Sequence, residues 1–268
     1  MAHDEADITS IKDPAVAEAR KAVAPGGPSY LVDGAGMALQ AIEASAGVES
    51  VFLLAGASDE ETPALAEACR RRTIRCATLS RGVFFKVLAL GYETTASALA
   101  VISRPSEAPL PETLPAEFCV LAGETIQDPR NVGVIVRTAD GMGAAGAAFS
   151  ADSADPYCRA AVRSSTGSIF RLTPAMQGDL PGYLRRLRAM GCRVIGTSAA
   201  GDKMCWQANL TGRVVIAVGN ETRGMSEAMR MECDEVVKIP MAGGAHSFNV
   251  TVAAGVLLYE RIRQKGKG

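Results

Sequence analysis

Short apolar runs alternate with helical stretches along this 268-residue chain, and the alternation limits the folds that are open to it. The runs are rich in Val, Ile, Leu and Ala, and they are too short to be buried helices. Such a pattern is typical of a sheet that carries helices on its faces. We therefore predict an α/β protein, with an α/β/α sandwich in the front part and a doubly wound, mostly parallel sheet in the back part.

The pattern places the elements as follows. Strands are predicted at 30–32, 51–54, 74–78, 98–102, 118–122, 145–149, 193–197, 214–218 and 235–239. Helices are predicted at 13–23, 35–46, 63–72, 81–87, 131–141, 159–165, 180–190, 225–231 and 249–263.

A proline-rich segment separates the two parts. Residues 104–117 contain four of the 13 prolines, at 105, 109, 111 and 115. Because proline lacks a backbone N–H and restricts the residue before it, neither a helix nor a central strand continues through this segment. We therefore predict a front domain at 1–103, a linker at 104–117 and a back domain at 118–268, both domains being of ordinary size.

Composition excludes several classes of protein. Hydrophobic residues make up 48% and charged residues 21% of the chain, which is typical of a globular protein and not of a disordered one. No apolar run approaches the ~20 residues that a membrane span needs. The first residues lack the pattern of a signal peptide, and the seven cysteines form no CxxC pair. We expect a cytoplasmic protein with no membrane partner, no disulfide framework and no bound metal.

Charge is less informative about the partner. The net charge is -1, so no overall basic field indicates nucleic acid. Residues 1–110 contain 10 basic and 14 acidic side chains, whereas residues 111–268 contain 18 basic and 15 acidic ones. Basic residues cluster at 70–75, 185–193 and 261–267, and each cluster is either a solvated helix face or a contact for an anionic partner.

The first constellation of polar residues lies at 128–140, after a predicted strand and at the start of a helix. Asn131 is placed to cap that helix, whose first amides can hold an anion. Arg137 lies beside apolar and small residues, so its guanidinium needs a carboxylate, a carbonyl or a phosphate as partner. Taken alone, Arg137 is more ordinarily part of a structural salt bridge.

Two further constellations follow the last two predicted strands. One is a glycine-containing turn with Gly219 and Glu221, and the other is a small-residue loop that reaches Ser247 and Asn249 at a helix start. Ligands of open α/β sheets bind beyond the carboxyl ends of strands, where both loops lie. His246 in the second loop is a candidate general base, although a single loop histidine is more often incidental.

Together, the constellations resemble motifs one, two and three of the SpoU (TrmH) RNA 2′-O-ribose methyltransferases of the SPOUT superfamily. The residues that carry the resemblance are Asn131…Arg137, Gly219-Asn220-Glu221…Gly224 and Ile239-Pro240-Met241…Ser247-Phe248-Asn249. The resemblance covers the back domain. The front domain, from Ile8-Thr9-Ser10 through Tyr30-Leu31-Val32-Asp33-Gly34, is similar to the ribosomal-protein-like RNA-binding domain of the family.

The resemblance implies a fold, a cofactor and partners. It implies an α/β trefoil-knot domain that binds S-adenosylmethionine in its knot, and an α/β/α RNA-binding domain in front of it. Gly219, Ile239 and Phe248 are implied to contact the cofactor, largely through backbone atoms, and Thr197 opens a further loop that faces it. The resemblance also implies a homodimer with active sites near the interface, and structured RNA as the substrate.

The implied activity is methyl transfer to a ribose 2′-hydroxyl, with ribosomal RNA favoured over transfer RNA because the front domain is complete. Arg137 is implied as the base; since arginine normally stays protonated, orienting a phosphate or the hydroxyl is the alternative role. Asn131, Glu221, Ser247 and Asn249 are implied to position this arginine and the RNA. A non-catalytic RNA-binding protein and a methyltransferase for a base nitrogen are the rival functions.

The chain departs from the family pattern at three positions. Family members often have histidine where Arg130 stands, leucine where Phe248 stands and glycine where Thr222 stands. Arg130 adds a charge suited to phosphate, and Phe248 enlarges a side chain beside the cofactor. Because the front domain is acidic, RNA recognition is expected to depend on a few local arginines, on shape and on unpaired bases.

Overall fold

The computed structural model describes residues 7–24, 26–57, 59–87, 96–106, 110–244 and 247–266. The chain forms two compact units. The first contains Met1–Ser106 and Tyr157–Arg163, and the second contains Glu107–Pro156 and Ser164–Gly268. The described part of 104–117 contains neither helix nor strand. The domain boundaries at 103 and 118 stay a prediction, and nothing in the sequence predicted that Tyr157–Arg163 groups with the first unit.

The first unit is built on a four-stranded mixed sheet of order β1-β4-β2-β3, in which β4 is antiparallel to both its neighbours. Its strands are β1 Ser29–Asp33, β2 Val48–Leu54, β3 Arg75–Leu79 and β4 Ala98–Ser103. Its helices are α1 Pro14–Ala22, α2 Ala35–Glu43, α3 Glu61–Arg72 and α4 Arg81–Val87. Successive residues Val51, Phe52 and Leu53 are all buried, so both faces of this sheet are covered, as the predicted sandwich requires.

The second unit contains a seven-stranded sheet of order β7-β6-β5-β10-β8-β11-β9, in which every neighbouring pair is parallel. Its strands are β5 Phe118–Gly123, β6 Gly146–Ser150, β7 Ala175–Gln177, β8 Arg193–Thr197, β9 Lys203–Met204, β10 Arg213–Val218 and β11 Glu235–Lys238. The helices from residue 129 onward are α5 Pro129–Gly141, α6 Arg159–Ser165, α7 Leu180–Ala189, α8 Glu227–Met231 and α9 Val250–Lys265. Short 3-10 turns lie at Ser168–Phe170 and Cys205–Gln207.

The α/β class and the parallel sheet are therefore confirmed. The predicted strands and helices all occur, with ends that differ by a few residues. The two edge strands β7 and β9 were not predicted, because strands of three and two residues are too short to show a periodic pattern. Among the described residues, no helix is long and apolar enough to cross a membrane.

The start of helix α5 corrects one prediction. Asp128, and not Asn131, is the N-cap, since its side chain accepts a hydrogen bond from the backbone N–H of Arg130 at 2.8 Å. Pro129 occupies the first helical position, where a missing N–H costs nothing. Asn131 is thus the third residue of the helix, and its side chain is free for another role.

Strand order places the candidate site. Strand β10 lies between β5 and β8 and is buried from Val214 to Val218. Because the strands are parallel, the loops that follow β5, β8, β10 and β11 leave the sheet at the same edge. The three sequence constellations are carried by these loops and by the helices that follow them.

Candidate active site

The turn after β10 is closed by its own backbone. Asn220 and Gly224 exchange two backbone hydrogen bonds, at 3.0 and 2.9 Å. The side-chain oxygen of Asn220 accepts hydrogen bonds from the backbone N–H groups of Thr222 and Arg223, at 2.9 and 3.0 Å. Gly224 has φ of 72°, a conformation that favours glycine. The turn therefore has a fixed shape.

Gly219 at the end of β10 is required by close packing. A Cβ atom at this position would lie 2.2 Å from the carbonyl carbon of Gly224 and 2.2 Å from the nitrogen of Met225. Both are backbone atoms, so a side chain cannot be accommodated by a rotamer change. The closed turn therefore folds directly over the end of the strand.

One hydrogen-bond chain joins the three constellations. Asn131 donates from its amide to Glu221 Oε1 at 2.7 Å, and Asn249 donates to Asn131 Oδ1 at 3.4 Å. Asn249 also caps α9, because its side-chain oxygen accepts from the N–H of Thr251 at 2.8 Å. Asn220 ties the same turn to the β5–α5 loop by donating to the carbonyl oxygen of Thr125 at 2.8 Å. Residues far apart in the sequence thus meet at one point.

A cavity of about 410 Å³ lies beside these hydrogen bonds. All four residues predicted to contact a cofactor line it, and so do two of the predicted polar residues: Thr197, Gly219, Ile239, Phe248, Glu221 and Ser247. The sequence interpretation did not name most of the remaining lining residues as site residues: Ser198, Ala199, Val218, Asn220, Thr222, Arg223, Gly224, Val237, Met241, Val250 and Ala253. The signal that could have identified these residues is their position in or next to loops that follow parallel strands, where ligands of such sheets bind.

Arg137 lies outside this cavity. It is exposed on α5 and makes no hydrogen bond or ion pair with any residue that the structure describes. Six residues of helix place it roughly 9 Å along the axis from Asn131 and on a different side. The structural salt bridge expected for Arg137 taken alone is therefore not formed within the described part of the chain.

Arg130 is already paired. Its guanidinium donates to both carboxylate oxygens of Asp128, from Nε at 3.0 and 3.1 Å and from Nη2 at 2.8 Å. These hydrogen bonds, with the backbone N–H of Arg130, hold the pKa of Asp128 below its ordinary value, and the carboxylate raises the pKa of Arg130. The charge that Arg130 adds to the family pattern is thus largely neutralised by its neighbour.

Glu124 is a supporting residue that the sequence interpretation missed. Its carboxylate accepts from the backbone N–H and from the hydroxyl of Ser226, both at 2.6 Å. Ser226 in turn caps α8 by accepting from the N–H of Met229 at 3.1 Å. Glu124 therefore ties the end of β5 to the residue that follows the closed turn. His246, the candidate general base, lies outside the described residues.

Comparison with known proteins gives a family match. The sequence profile described as the SpoU rRNA Methylase family matches residues 119–259. A 23S rRNA (uridine(2479)-2′-O)-methyltransferase of Streptomyces viridochromogenes is 36% identical over 182 residues, which cover 66% of this chain and 63% of that protein. An uncharacterized tRNA/rRNA methyltransferase of Mycolicibacterium paratuberculosis is 40% identical over 153 residues, which cover 57% of this chain and 49% of that protein. The chain thus spans about half to just under two thirds of these curated relatives.

A solved structure extends the likeness to nearly the whole chain. The SpoU methyltransferase AviRb from Streptomyces viridochromogenes, solved in complex with its cofactor AdoMet, superposes with a TM-score of 0.81 and 27% identity. The match covers 96% of this chain and 100% of that one. It includes both compact units, whereas the family profile covers part of the second unit and only Tyr157–Arg163 of the first.

Proposed function

This chain belongs to the SpoU rRNA methylase family, and from that premise we propose that it transfers a methyl group from S-adenosylmethionine to a ribose 2′-hydroxyl of structured RNA. The observation that carries the proposal is the hydrogen-bond chain through Glu221, Asn131 and Asn249, which joins the first motif to two motifs whose residues line one cavity. Ribosomal RNA is favoured over transfer RNA, because the Streptomyces viridochromogenes relative that is 36% identical is named for 23S rRNA. A cytoplasmic location fits such a substrate.

The cavity fits the methyl donor in size and chemistry. Its volume of about 410 Å³ falls within the ~300–1,000 Å³ of small-molecule sites. Apolar side chains such as Val218, Ile239 and Phe248 can cover an adenine ring, and the backbone of Gly219 forms part of the wall. The closed turn contributes the polar wall. When bound there, S-adenosylmethionine supplies an electrophilic methyl group carried on a sulfonium.

The residues of the chain then hold the RNA for reaction. Glu221 fixes the Asn131 amide, and Asn131 in turn fixes Asn249, so the polar groups beside the cavity are ordered before RNA binds. Ser247 is exposed at the cavity wall and is free to contact the ribose. Such preorganisation aligns the reacting hydroxyl, which is a large part of catalysis when the transferred group is as small as a methyl.

Arg137 is proposed as the residue that contacts the reacting hydroxyl or its adjacent phosphate. It serves either as the base or as the group that orients the nucleophile, and both roles require it within reach of the RNA. Since the single chain holds it away from the cavity, we propose that a second copy brings it to the site. The exposed position and the absence of an ion pair within the described residues support this arrangement.

Helix α9 supplies a surface for that second copy. Val252, Tyr259 and Ile262 are 46%, 61% and 42% exposed and lie on one side of the helix, since their positions fall within roughly 80° of rotation. Large apolar side chains aligned on a surface mark a protein interface, and a two-fold dimer is the simplest way to cover one. A Cβ at Gly255 of α9 would lie 3.8 Å from Thr138, the neighbour of Arg137. The proposed homodimer interface is therefore close to Arg137.

We also propose two finer features of the family for this chain. The first is a trefoil knot formed by the loops after β8, β10 and β11. The second is an RNA-binding role for the first unit, whose four-stranded sheet covered on both faces is compatible with a ribosomal-protein-like domain.

The test is transfer of labelled methyl from S-adenosylmethionine to total RNA from cells that lack their own copy of the enzyme. We expect label in ribosomal RNA, recovered after digestion as a 2′-O-methyl nucleoside. Arg137→Ala should lower the rate about 100-fold or more while S-adenosylmethionine binding, followed by calorimetry, stays unchanged.

Arg185→Ala is the control, because Arg185 is a surface residue of α7 whose guanidinium is paired with Glu232 at 2.7 Å. Label on a base nitrogen would contradict ribose methylation. The absence of both label and cofactor binding would favour a non-catalytic RNA-binding protein. Full activity of Arg137→Ala would show that Arg137 has no role in methyl transfer.

A further inference from the structure

One cation on the wall of the cavity has no part in the site described so far. Arg223 is the only arginine or lysine among the described residues that line the cavity, and it is exposed. Its guanidinium makes no hydrogen bond or ion pair within the described part of the chain, in contrast to Arg130, which Asp128 holds. An exposed guanidinium at a ligand site, without a carboxylate, is available for an anion.

The backbone of Arg223 is fixed although its side chain is free. Its N–H donates to the side-chain oxygen of Asn220 at 3.0 Å, inside the turn closed by Asn220 and Gly224. Asn220 is itself held by the carbonyl oxygen of Thr125 at 2.8 Å. A guanidinium presented from a rigid turn loses less conformational entropy on binding than one presented from a mobile loop.

Two carboxylates of the loops around Arg223, Glu221 in the same turn and Glu124 after β5, are engaged elsewhere. Glu221 accepts from the amides of Asn131 and Asn220, at 2.7 and 3.4 Å. Glu124 accepts from Ser226 through both of its oxygens. Neither carboxylate therefore neutralises Arg223, and both are held in place by neutral donors. The positive charge at the cavity mouth is available to a ligand.

We infer that Arg223 binds a backbone phosphate of the substrate RNA next to the ribose that is methylated. This inference rests on the proposed function. Every reacting 2′-hydroxyl is flanked by phosphates, and a guanidinium fork matches a phosphate with two parallel hydrogen bonds. The carboxylate of S-adenosylmethionine is the other anion that reaches this cavity, but the exposed position of Arg223 favours the polymer that approaches from outside.

The test compares Arg223→Gln, which removes the charge at nearly constant size, with Arg223→Lys, which keeps it. RNA affinity is measured against salt concentration, with ribosomal RNA from cells that lack the enzyme as the probe. Loss of one phosphate contact should reduce the magnitude of the negative slope of log K against log salt by roughly 0.7–0.9 and raise the KM for RNA roughly tenfold. Arg223→Lys should retain the wild-type slope, and cofactor affinity should be unchanged in both variants.

Arg185→Gln is the matched control, since it removes the same charge from α7 at a residue already paired with Glu232. A slope for Arg223→Gln equal to that of the wild type and of this control would overturn the inference. A loss of S-adenosylmethionine affinity with an unchanged RNA slope would assign Arg223 to the cofactor carboxylate and would also overturn it. Failure of the wild type to methylate RNA would refute the proposed function, and the salt slope would still report on Arg223.

Discussion

Gly219 shows how a single residue shapes the candidate site. The closed turn after β10 folds back so tightly that a Cβ atom at Gly219 would overlap the backbone of Gly224 and Met225. Any side chain there must push the turn outward, and the turn carries both Glu221 and Arg223. The absence of a Cβ is therefore a condition for the hydrogen bond between Glu221 and Asn131.

We predict that Gly219→Ala destabilises the protein by about 1–3 kcal/mol, as overpacking does in a close-packed region, and weakens S-adenosylmethionine binding at least tenfold. Denaturant unfolding and calorimetry measure the two effects. Gly178→Ala is the control, since no atom lies within 4 Å of a Cβ at Gly178 and its backbone does not require glycine. Wild-type cofactor affinity in Gly219→Ala would show that the turn moves without affecting the site.

At the scale of the element, helix α5 is positioned by the cap that begins it. Asp128 accepts from the backbone N–H of Arg130 and from its guanidinium, and Pro129 fixes the first turn. The helix then presents Asn131 to Glu221 of the cavity wall and Arg137 on a different side. The cap thus sets the direction in which both residues are presented.

We predict that Asp128→Ala lowers the free energy of unfolding by about 1 kcal/mol, the usual cost of losing an N-cap. Because hydrogen bonds from Arg130 lower the pKa of Asp128, the part of its contribution that comes from the negative charge is complete above the ordinary value of 3.8 and is lost as pH falls through the lowered pKa. The difference between wild type and Asp128→Ala in denaturant unfolding should therefore shrink from pH 7 to pH 3.

Asp128→Asn is the informative comparison, because asparagine keeps the capping oxygen but does not titrate in this range. Its stability relative to Asp128→Ala should not depend on pH. A difference between wild type and Asp128→Ala that is the same at both pH values would contradict a role for the ionised carboxylate.

At the scale of the whole molecule, we propose that the activity depends on assembly of two chains. Tyr259 is 61% exposed on the apolar side of α9, and Arg137 is exposed on α5, a helix that α9 contacts. We predict that the protein sediments at about twice its chain mass of 27.9 kDa, and that Tyr259→Glu, which buries a charge in the interface, produces monomers. The monomer should lose methyl transfer, because its sites lack Arg137 of a second copy.

Mixed subunits test this arrangement directly. A mixture of Arg137→Ala and Glu221→Gln chains should recover about a quarter of wild-type activity, because half of the randomly formed dimers are mixed and each mixed dimer has one intact site. No recovery is expected if Arg137 acts in its own chain, since every site then carries a defect. An inactive mixture that contains mixed dimers would therefore exclude a site shared between subunits.

The sequence by itself determined the longer elements and the loops that carry the site. Strand β10 is a continuous apolar run because a parallel strand is covered on both faces, and such a run is visible without a structure. The order of Asn131, Glu221 and Asn249 along the chain was sufficient to indicate the family. Local patterns of this kind depend on residues close in sequence, which is why they could be predicted.

Only the tertiary structure decided which side chains meet and which stay free. The pairing of Asn131 with Glu221 joins residues 90 positions apart, and the engagement of Glu124 with Ser226 joins residues 102 apart. The structure has Asp128, and not the predicted Asn131, as the N-cap of α5. The guanidinium of Arg130 is paired with Asp128, whereas that of Arg223 has no partner among the described residues. These outcomes depend on distances of a few ångströms between distant segments, which strand order and loop closure set and which local sequence patterns do not encode.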